Sequence, residues 1–233
     1  MAIKAIFFDA AGTLIETVRP VGETYACLAT KHGLGVSPAE VGSRFRSCFA
    51  SAPPLAFPRA RPEEIPALEW DWWRSLVKNI FQPWGLFAQF DDYFFELFEY
   101  FSKPSSWKLH PEAAETLVAL KKQRLILDIV SNFDSRLVGI MEGLGAARWF
   151  DRIFLSSHVG YAKPDREIFQ FALNAHRLKT EEVIHVGDSK ETDLQGAINA
   201  GLTGILLDPR GQNQRDGQLQ IQNLKELLSI LHL

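Results

Sequence analysis

A short, mainly apolar run from Ile3 to Phe8 stops at Asp9 and a glycine-containing loop, and no comparable run recurs until Leu125 to Val130. That gap constrains the fold more than any other feature. The first run reads as a buried strand feeding a tight loop. From Leu125 onward a regular alternation sets in. Strand candidates at Ile153–Leu155, Val183–Val186 and Thr203–Leu207 are interleaved with helix candidates. These helices begin near Pro111, Ser135, Asp165 and Thr192, with apolar residues at three- and four-residue spacing. Strands alternating with helices indicate βαβ units and a parallel, doubly wound α/β sheet. The first strand must reach its neighbours across a long insertion.

That insertion differs in kind. Val41, Phe45, Cys48 and Phe49 fit one helical stripe; Ile65, Leu68, Trp72, Leu76 and Ile80 fit a second; Phe90, Phe94, Leu97, Phe98 and Phe101 fit a third. Prolines at 53, 54, 58, 62 and 66 interrupt it, and no strand pattern is visible. It is expected to be all-helical over residues 18–106, with Pro104, Ser105 and Ser106 marking the return to a core of residues 1–17 and 107–233. Seventeen of the 27 aromatic residues lie between positions 16 and 106, so this module has the means to build its own core. Trp70, Trp72, Trp73 and Trp84 read as part of that core before they read as a ligand cage. After Leu207 come a polar, Gln-rich loop from Gly211 to Gln222 and a last short helix around Leu224–Leu231.

Charge and cysteine content close off several function classes. With 25 basic and 28 acidic residues the net charge is −3, which does not give the basic footprint of a nucleic-acid binder. No uncharged apolar run approaches the roughly 18 residues a membrane span needs. Cys27 and Cys48 are too few for a disulfide framework and lack metal-ligand spacing. The first residues show no apolar region or cleavage site of a secretion signal, so a cytoplasmic location is expected.

In a parallel α/β sheet, ligands gather at the carboxyl ends of the strands. Asp9 follows the first strand, in Phe8-Asp9-Ala10-Ala11-Gly12-Thr13-Leu14; Ser131-Asn132-Phe133-Asp134 follows the second; Lys163-Pro164 precedes the helix near Asp165; Gly187-Asp188-Ser189, with Asp193 beyond it, follows the fourth. Two carboxylate stations, a hydroxyl and a lysine at one sheet edge point to phosphoryl chemistry. A carboxylate can attack phosphorus and carry the group covalently. Asp9 and Asp188 would need a shared hard cation to approach an anionic phosphoryl group, and magnesium suits oxygen ligands. Lys163 would neutralise charge, while Ser131, Asn132 and nearby backbone N–H groups would hold phosphoryl oxygens. Asp193 is open to two readings, support for the metal site or an acid stabilising a first helical turn. Asn132 is open to an Asx-turn role. Arg19, where the chain enters the insertion, is a candidate substrate contact or a solvated surface residue. His185 reads as a core histidine, and His110 and His158 as loop residues near the sheet ends.

In that order the four stations resemble the four motifs of the haloacid dehalogenase superfamily. Arg19-Pro20, Gly22-Glu23, Tyr25-Ala26, Trp72-Trp73, Trp107 and His185-Val186-Gly187-Asp188 narrow the resemblance to its rhythmically-expressed-gene-2-like subgroup. The resemblance implies a Rossmann-like core with an inserted helical cap, Asp9 as nucleophile, and magnesium held by Asp9, Asp188 and the Ala11 carbonyl with Asp193 in support. The substrate it implies is a small phosphorylated metabolite.

One position departs from the pattern. Phosphatases of this superfamily carry a second aspartate two residues after the nucleophile, which protonates the leaving oxygen and then activates water. Here that residue is Ala11. A positioned acid–base group is worth about 10²–10⁴-fold, so ordinary alkyl phosphates should turn over poorly. Haloacid dehalogenases also lack the aspartate, but they have lost the metal-binding carboxylate that Asp188 keeps here. Phosphonoacetaldehyde hydrolase has alanine there and uses a cap lysine as a Schiff base; the lysines available are Lys31, Lys78, which desolvation could depress, and Lys103. The expected activity is a magnesium-dependent phosphatase. The alternatives are carbon–phosphorus cleavage and a weakly active or non-catalytic metabolite-binding protein.

Overall fold

The computed structural model describes residues 2–85, 87–211 and 217–231. Six strands form one parallel sheet: β1 (Ala5–Phe8), β4 (Ile126–Ser131), β5 (Arg152–Leu155), β6 (Val183–Gly187), β7 (Thr203–Leu207) and β8 (Gln220–Ile221), in the spatial order β5-β4-β1-β6-β7-β8. Strand β1 is central, with Phe8 opposite Ile129 on one side and Val186 on the other. Its side chains alternate between two cores, as a two-residue period dictates. Ile6 and Phe8 pack with α5 (Ala113–Lys122) and α6 (Arg136–Gly143); Ala5 and Phe7 pack with α8 (Arg166–His176). Each large side chain buried this way contributes about 1.5–3 kcal/mol. The sheet therefore stacks the carboxyl ends of β1, β4 and β6 side by side.

Residues between β1 and β4 leave the sheet through two short strands that carry no apolar run and were not expected. Ile15–Thr17 (β2) and Trp107–Leu109 (β3) pair antiparallel, and Val18 donates its N–H to Ser106 O at 2.9 Å. Between them lie α1 (Val21–Lys31), α2 (Pro38–Ser51), α3 (Ile65–Phe81) and α4 (Phe90–Ser102), with no strand among the described residues 18–106. A third apolar cluster, built on Tyr25, Leu76, Ile80, Phe81, Tyr93 and Phe94, belongs to these helices alone. Trp70 packs edge-on to Phe94 and Trp84 lies beside Phe81, as core residues.

Several boundaries and one helix face differ from expectation. On α3, Ile65, Leu76 and Ile80 are buried as expected, but Leu68 is exposed and Trp72 half-buried, while Glu69 is 3% exposed. The helix expected near Thr192 opens earlier, as a π-helical turn over Lys190–Gln195 continuing into α9 (Gly196–Asn199), with Ser189 accepting from Thr192 N–H at 3.1 Å. A one-turn helix, α7 (Ser156–Val159), follows β5, so His158 is helical. The Gln-rich stretch falls partly outside the described residues, at 212–216, and the final helix, α10, spans Glu226–Ile230.

Candidate active site

The sheet brings Asp9, Ser131, Lys163, Asp188 and Asp193 into one pit. Asp9 is anchored by its N–H to Val186 O at 2.9 Å, directly past the end of β1. Its Oδ1 accepts from Ser131 Oγ at 2.9 Å and from Lys163 Nζ at 2.7 Å. Lys163 Nζ also donates to Asp193 Oδ1 at 2.5 Å. Asn132 holds the lysine loop from both sides: its amide donates to Lys163 O at 2.8 Å and its Oδ1 accepts Lys163 N–H at 2.7 Å. Asn132 thus reaches the lysine through a hydrogen-bonded clasp.

The turn after Asp9 is tight. Leu14 and Ile15 N–H groups both return to Ala10 O, at 2.8 and 3.0 Å. Gly12 has φ +94°, and a Cβ there would stand 2.4 Å from Asp188 Oδ2. A Cβ on Gly187 would stand 2.2 Å from Asp193 Cγ. Both glycines are the condition for carboxylates to crowd this pit.

Electrostatics follow from the crowding. Burial pushes the Asp9 carboxyl up, with Lys163 pulling against it and Asp193 reinforcing it. Burial also opposes the Asp193 carboxylate, but Lys163 and the hydrogen bond from His185 hold it well below the usual range. Lys163 loses by burial and gains more from Asp193 and Asp9, so its ammonium is held charged. Asp188 is pushed up to about 7, by burial and then by the charges of Asp9 and Asp193. Solvent still reaches Asp188, so the repulsion is the part a cation would relieve. Three carboxylates face one ammonium. One oxygen from each of Asp9, Asp188 and Asp193 lies within 4.8 Å of the others, a set of hard donors that fits a magnesium ion.

His185 is a core histidine with a task. It is fully buried and Nε2 lies 3.0 Å from Asp193 Oδ1. Burial pushes its pKa down despite that carboxylate, so the ring is neutral and donates from Nε2 to orient Asp193.

Above the pit, a cavity of about 370 Å³ lies between the sheet edge and helices α1 to α4, with Ala11, Gly12 and Asn132 among its walls. Arg19 does not line it and is exposed, because the chain turns outward into α1 there. The arginine that does line it is Arg136. Its Nε and Nη2 donate to Asp134 at 2.8 and 2.6 Å, and its guanidinium lies 4.0 Å over Phe98 and 4.9 Å over Trp73. Trp73 Nε1–H also donates to Asp134, at 2.6 Å, so this tryptophan belongs to the cavity wall. Glu69 Oε1 accepts from both Ser135 N–H and Ser135 Oγ at 3.0 Å. These links tie α3 to the loop that carries Ser131 and Asn132. Periodicity gives no signal for Glu69 or Arg136, since each is a charged residue on a buried face.

The remaining candidates fall away from the pit. His110 Nδ1 faces Pro111 O, and His158 Nε2 lies 2.8 Å from Ser135 Oγ. Among the described residues no lysine lines the cavity; Lys31 is paired with Glu96 at 2.6 Å on the surface. The acidic residue on the cavity wall, Glu16, faces Lys108 at 3.1 Å with 45% of its side chain exposed.

A central strand ending in a buried aspartate, with lysine, serine and a second carboxylate station on the neighbouring loops, is the arrangement of the haloacid dehalogenase-like hydrolases. The description of that family matches residues 3–201, and the protein belongs to it. It is similar to haloacid dehalogenase-like hydrolase domain-containing protein 3 of Bos taurus, 32% identical over 249 residues covering 99% of this chain and 94% of the relative. Rhythmically expressed gene 2 protein of Drosophila melanogaster is 26% identical over 215 residues, 88% of this chain and 82% of that one. Among solved structures, a HAD phosphatase from Thermococcus onnurineus superposes with a TM-score of 0.69 at 24% identity, covering 98% of both chains. L-2-haloacid dehalogenase from Xanthobacter autotrophicus superposes at 0.74 with 16% identity, covering 99% and 98%. Phosphatase and dehalogenase share the fold, so the choice between reactions rests on side chains. Among the described residues no helix is long and apolar enough to cross a membrane.

Proposed function

We propose that the protein is a magnesium-dependent phosphatase acting on a small phosphorylated metabolite, with residues 1–17 and 107–233 as its core and 18–106 as a cap. Asp9 is the nucleophile. The observation that carries this reading is the asymmetry of its carboxylate: Ser131 and Lys163 both engage Oδ1, while among the described residues no protein group donates to Oδ2. One oxygen is fixed and the other is available to attack. Lys163 supplies positive charge to the nucleophile and to the transferring group, and Ser131 fixes its orientation. Asn132 positions Lys163. Asp9, Asp188 and the Ala11 carbonyl, supported by Asp193, would hold the magnesium ion, which supplies charge neutralisation for an anionic substrate. Asp188 favours this reading over dehalogenation, since haloacid dehalogenases need no metal and have lost the metal-binding carboxylate that Asp188 keeps.

Position 11 sets the scope. A methyl group stands where a proton donor would be expected, so the leaving oxygen must depart with little protonation, as from acyl or aryl phosphates. Purified protein with magnesium is expected to hydrolyse acetyl phosphate, and Asp9→Asn to abolish that. Turnover that survives Asp9→Asn, or no turnover at all, would overturn the proposal. Ala11 also favours a second reading, a binding protein with slow turnover; tight magnesium-dependent ligand binding without hydrolysis would select it. Carbon–phosphorus cleavage through a cap lysine gains no support, because Lys31 and Lys78 lie off the cavity wall.

A further inference from the structure

The cavity above Asp9 carries information about the leaving group that position 11 alone does not. Aromatic side chains, Phe45, Phe49, Phe98, Phe101, Trp73 and Trp107 among them, are the largest group in its wall. Its volume, about 370 Å³, sits at the small end of the roughly 300–1,000 Å³ typical of small-molecule sites. At roughly 30 Å³ per water-sized group, it holds about a dozen non-hydrogen atoms. Glu16, Thr17, Asn132 and Arg136 are the wall's few hydrogen-bonding side chains apart from its aromatic residues, so a sugar, glycerol or nucleoside placed here would bury most of its hydroxyls against apolar groups, at about 1–3 kcal/mol each. A flat aromatic body meets ring edges and faces instead. Among the described residues Arg136 is the one cationic side chain on the wall; it commits Nε and Nη2 to Asp134 and leaves Nη1 without a protein acceptor there.

We propose that the substrate is an aryl phosphate monoester whose one or two fused rings occupy this cavity. The inference rests on the phosphatase reading above and adds the substrate class. Wall and position 11 are separate observations that converge on one chemistry. A phenolic oxygen has a pKa near 10, as in tyrosine, whereas an alkoxide resembles water's conjugate base at about 15.7. In the first step Asp9 bonds phosphorus, and the phosphorus–aryl oxygen bond breaks with its electron pair leaving on the aryloxide. No proton is required from residue 11, and the aryloxide takes one from solvent. In the second step a water oxygen bonds phosphorus and the bond to Asp9 breaks, its electron pair returning to the carboxylate. Phosphate leaves with the water's protons, one of which passes to solvent.

The test compares kcat/KM for 1-naphthyl phosphate, acetyl phosphate and glycerol 3-phosphate with magnesium, in the full chain, in Asp9→Asn and in Phe49→Ser. Phe49 is 42% exposed, so its replacement is compatible with folding, which a thermal melt would verify. The naphthyl ester is expected to exceed glycerol 3-phosphate by about a hundredfold or more. In Phe49→Ser the naphthyl-to-acetyl ratio is expected to fall about tenfold, the upper range for one aromatic contact. Asp9-dependent turnover of acetyl phosphate with no naphthyl preference would overturn the aryl inference and leave the phosphatase reading standing. Failure of all three substrates would overturn the phosphatase reading. In that event 1-naphthol quenching of tryptophan fluorescence, weakened by Phe49→Ser, still supports an aryl-binding cavity, and absence of quenching overturns it.

Discussion

Replacing Glu69 tests whether the proposed helical cap is fastened by one buried acid to the loop that carries Asn132. Glu69 lies on α3, 3% exposed, and its Oε1 accepts two hydrogen bonds at 3.0 Å from Ser135. Ser135 is four residues beyond Ser131 in the loop that also carries Asn132, so the link joins cap and site directly. Hydrogen bonds to a charged group contribute about 1.5–3 kcal/mol each. Removing a shared acceptor strands a half-buried N–H, while the hydroxyl can turn to His158 Nε2, 2.8 Å away. Glu69→Ala should therefore cost about 3 kcal/mol. At about 2–4 °C per kcal/mol for a chain of this size, Tm should fall by roughly 6–12 °C. Glu69→Gln keeps an acceptor and loses the charge, so its loss should be about half as large. Differential scanning calorimetry gives both numbers. In parallel, KM for acetyl phosphate should rise more than kcat falls, since a loosened cap weakens substrate retention before it alters Asp9. A Tm within 1 °C of the parent in Glu69→Ala would refute the idea that this acid fastens anything. Equal losses in the alanine and glutamine variants would assign the effect to charge and not to the acceptor geometry.

Other groups give equally direct tests. Asp128 lies fully buried in β4 and is pushed from the ordinary 3.8 up to about 6, by burial and against the pull of His176 2.8 Å away. Its folded pKa lies above its unfolded one, so stability from this group is present at pH 4 and lost as pH rises to 6, by about 3 kcal/mol. Asp128→Asn should therefore raise Tm at pH 7.5 and leave it nearly unchanged at pH 4; a pH-independent shift would contradict the assignment. Magnesium at a hundred times its Kd should stabilise the parent by about 2.7 kcal/mol, and Asp188→Asn should abolish that shift in a thermal melt; an equal shift in both would place the ion elsewhere. Ala11→Asp should raise turnover of glycerol 3-phosphate by about 10²-fold or more, read as phosphate release, and an unchanged rate would mean that a missing acid is not what limits alkyl esters.

The strand-end residues were legible because a parallel sheet converts sequence order into spatial order. Once Ile6 and Phe8 face one core and Phe7 the other, Asp9 must emerge at the same edge as Ser131 and Asp188. That inference needs only apolar runs and turn residues, which are local signals. The cap yields less, because hydrophobic periodicity reads which face is greasy and not which face is inside. On α3 it selected Ile65, Leu76 and Ile80 correctly and Leu68 wrongly, and it passed over Glu69 and Trp73, which face Ser135 and Asp134 and hydrogen-bond to them. A buried acid paired with another segment leaves no mark on the pattern of its own helix. The same limit explains Arg19 and Arg136. Arg19 looked well placed at the cap's first turn, but Arg136 reaches the cavity because Asp134 neutralises it and Phe98 and Trp73 cover its faces. The aromatic excess of the insertion therefore has two destinations. Tyr93 and Phe81 fill the core of the insertion alone, whereas Trp73, Phe98 and Phe101 also line the cavity that reaches Ala11 and Gly12. A composition count cannot separate them, and it is the second group, paired with a methyl at position 11, that gives this site a chemistry of its own.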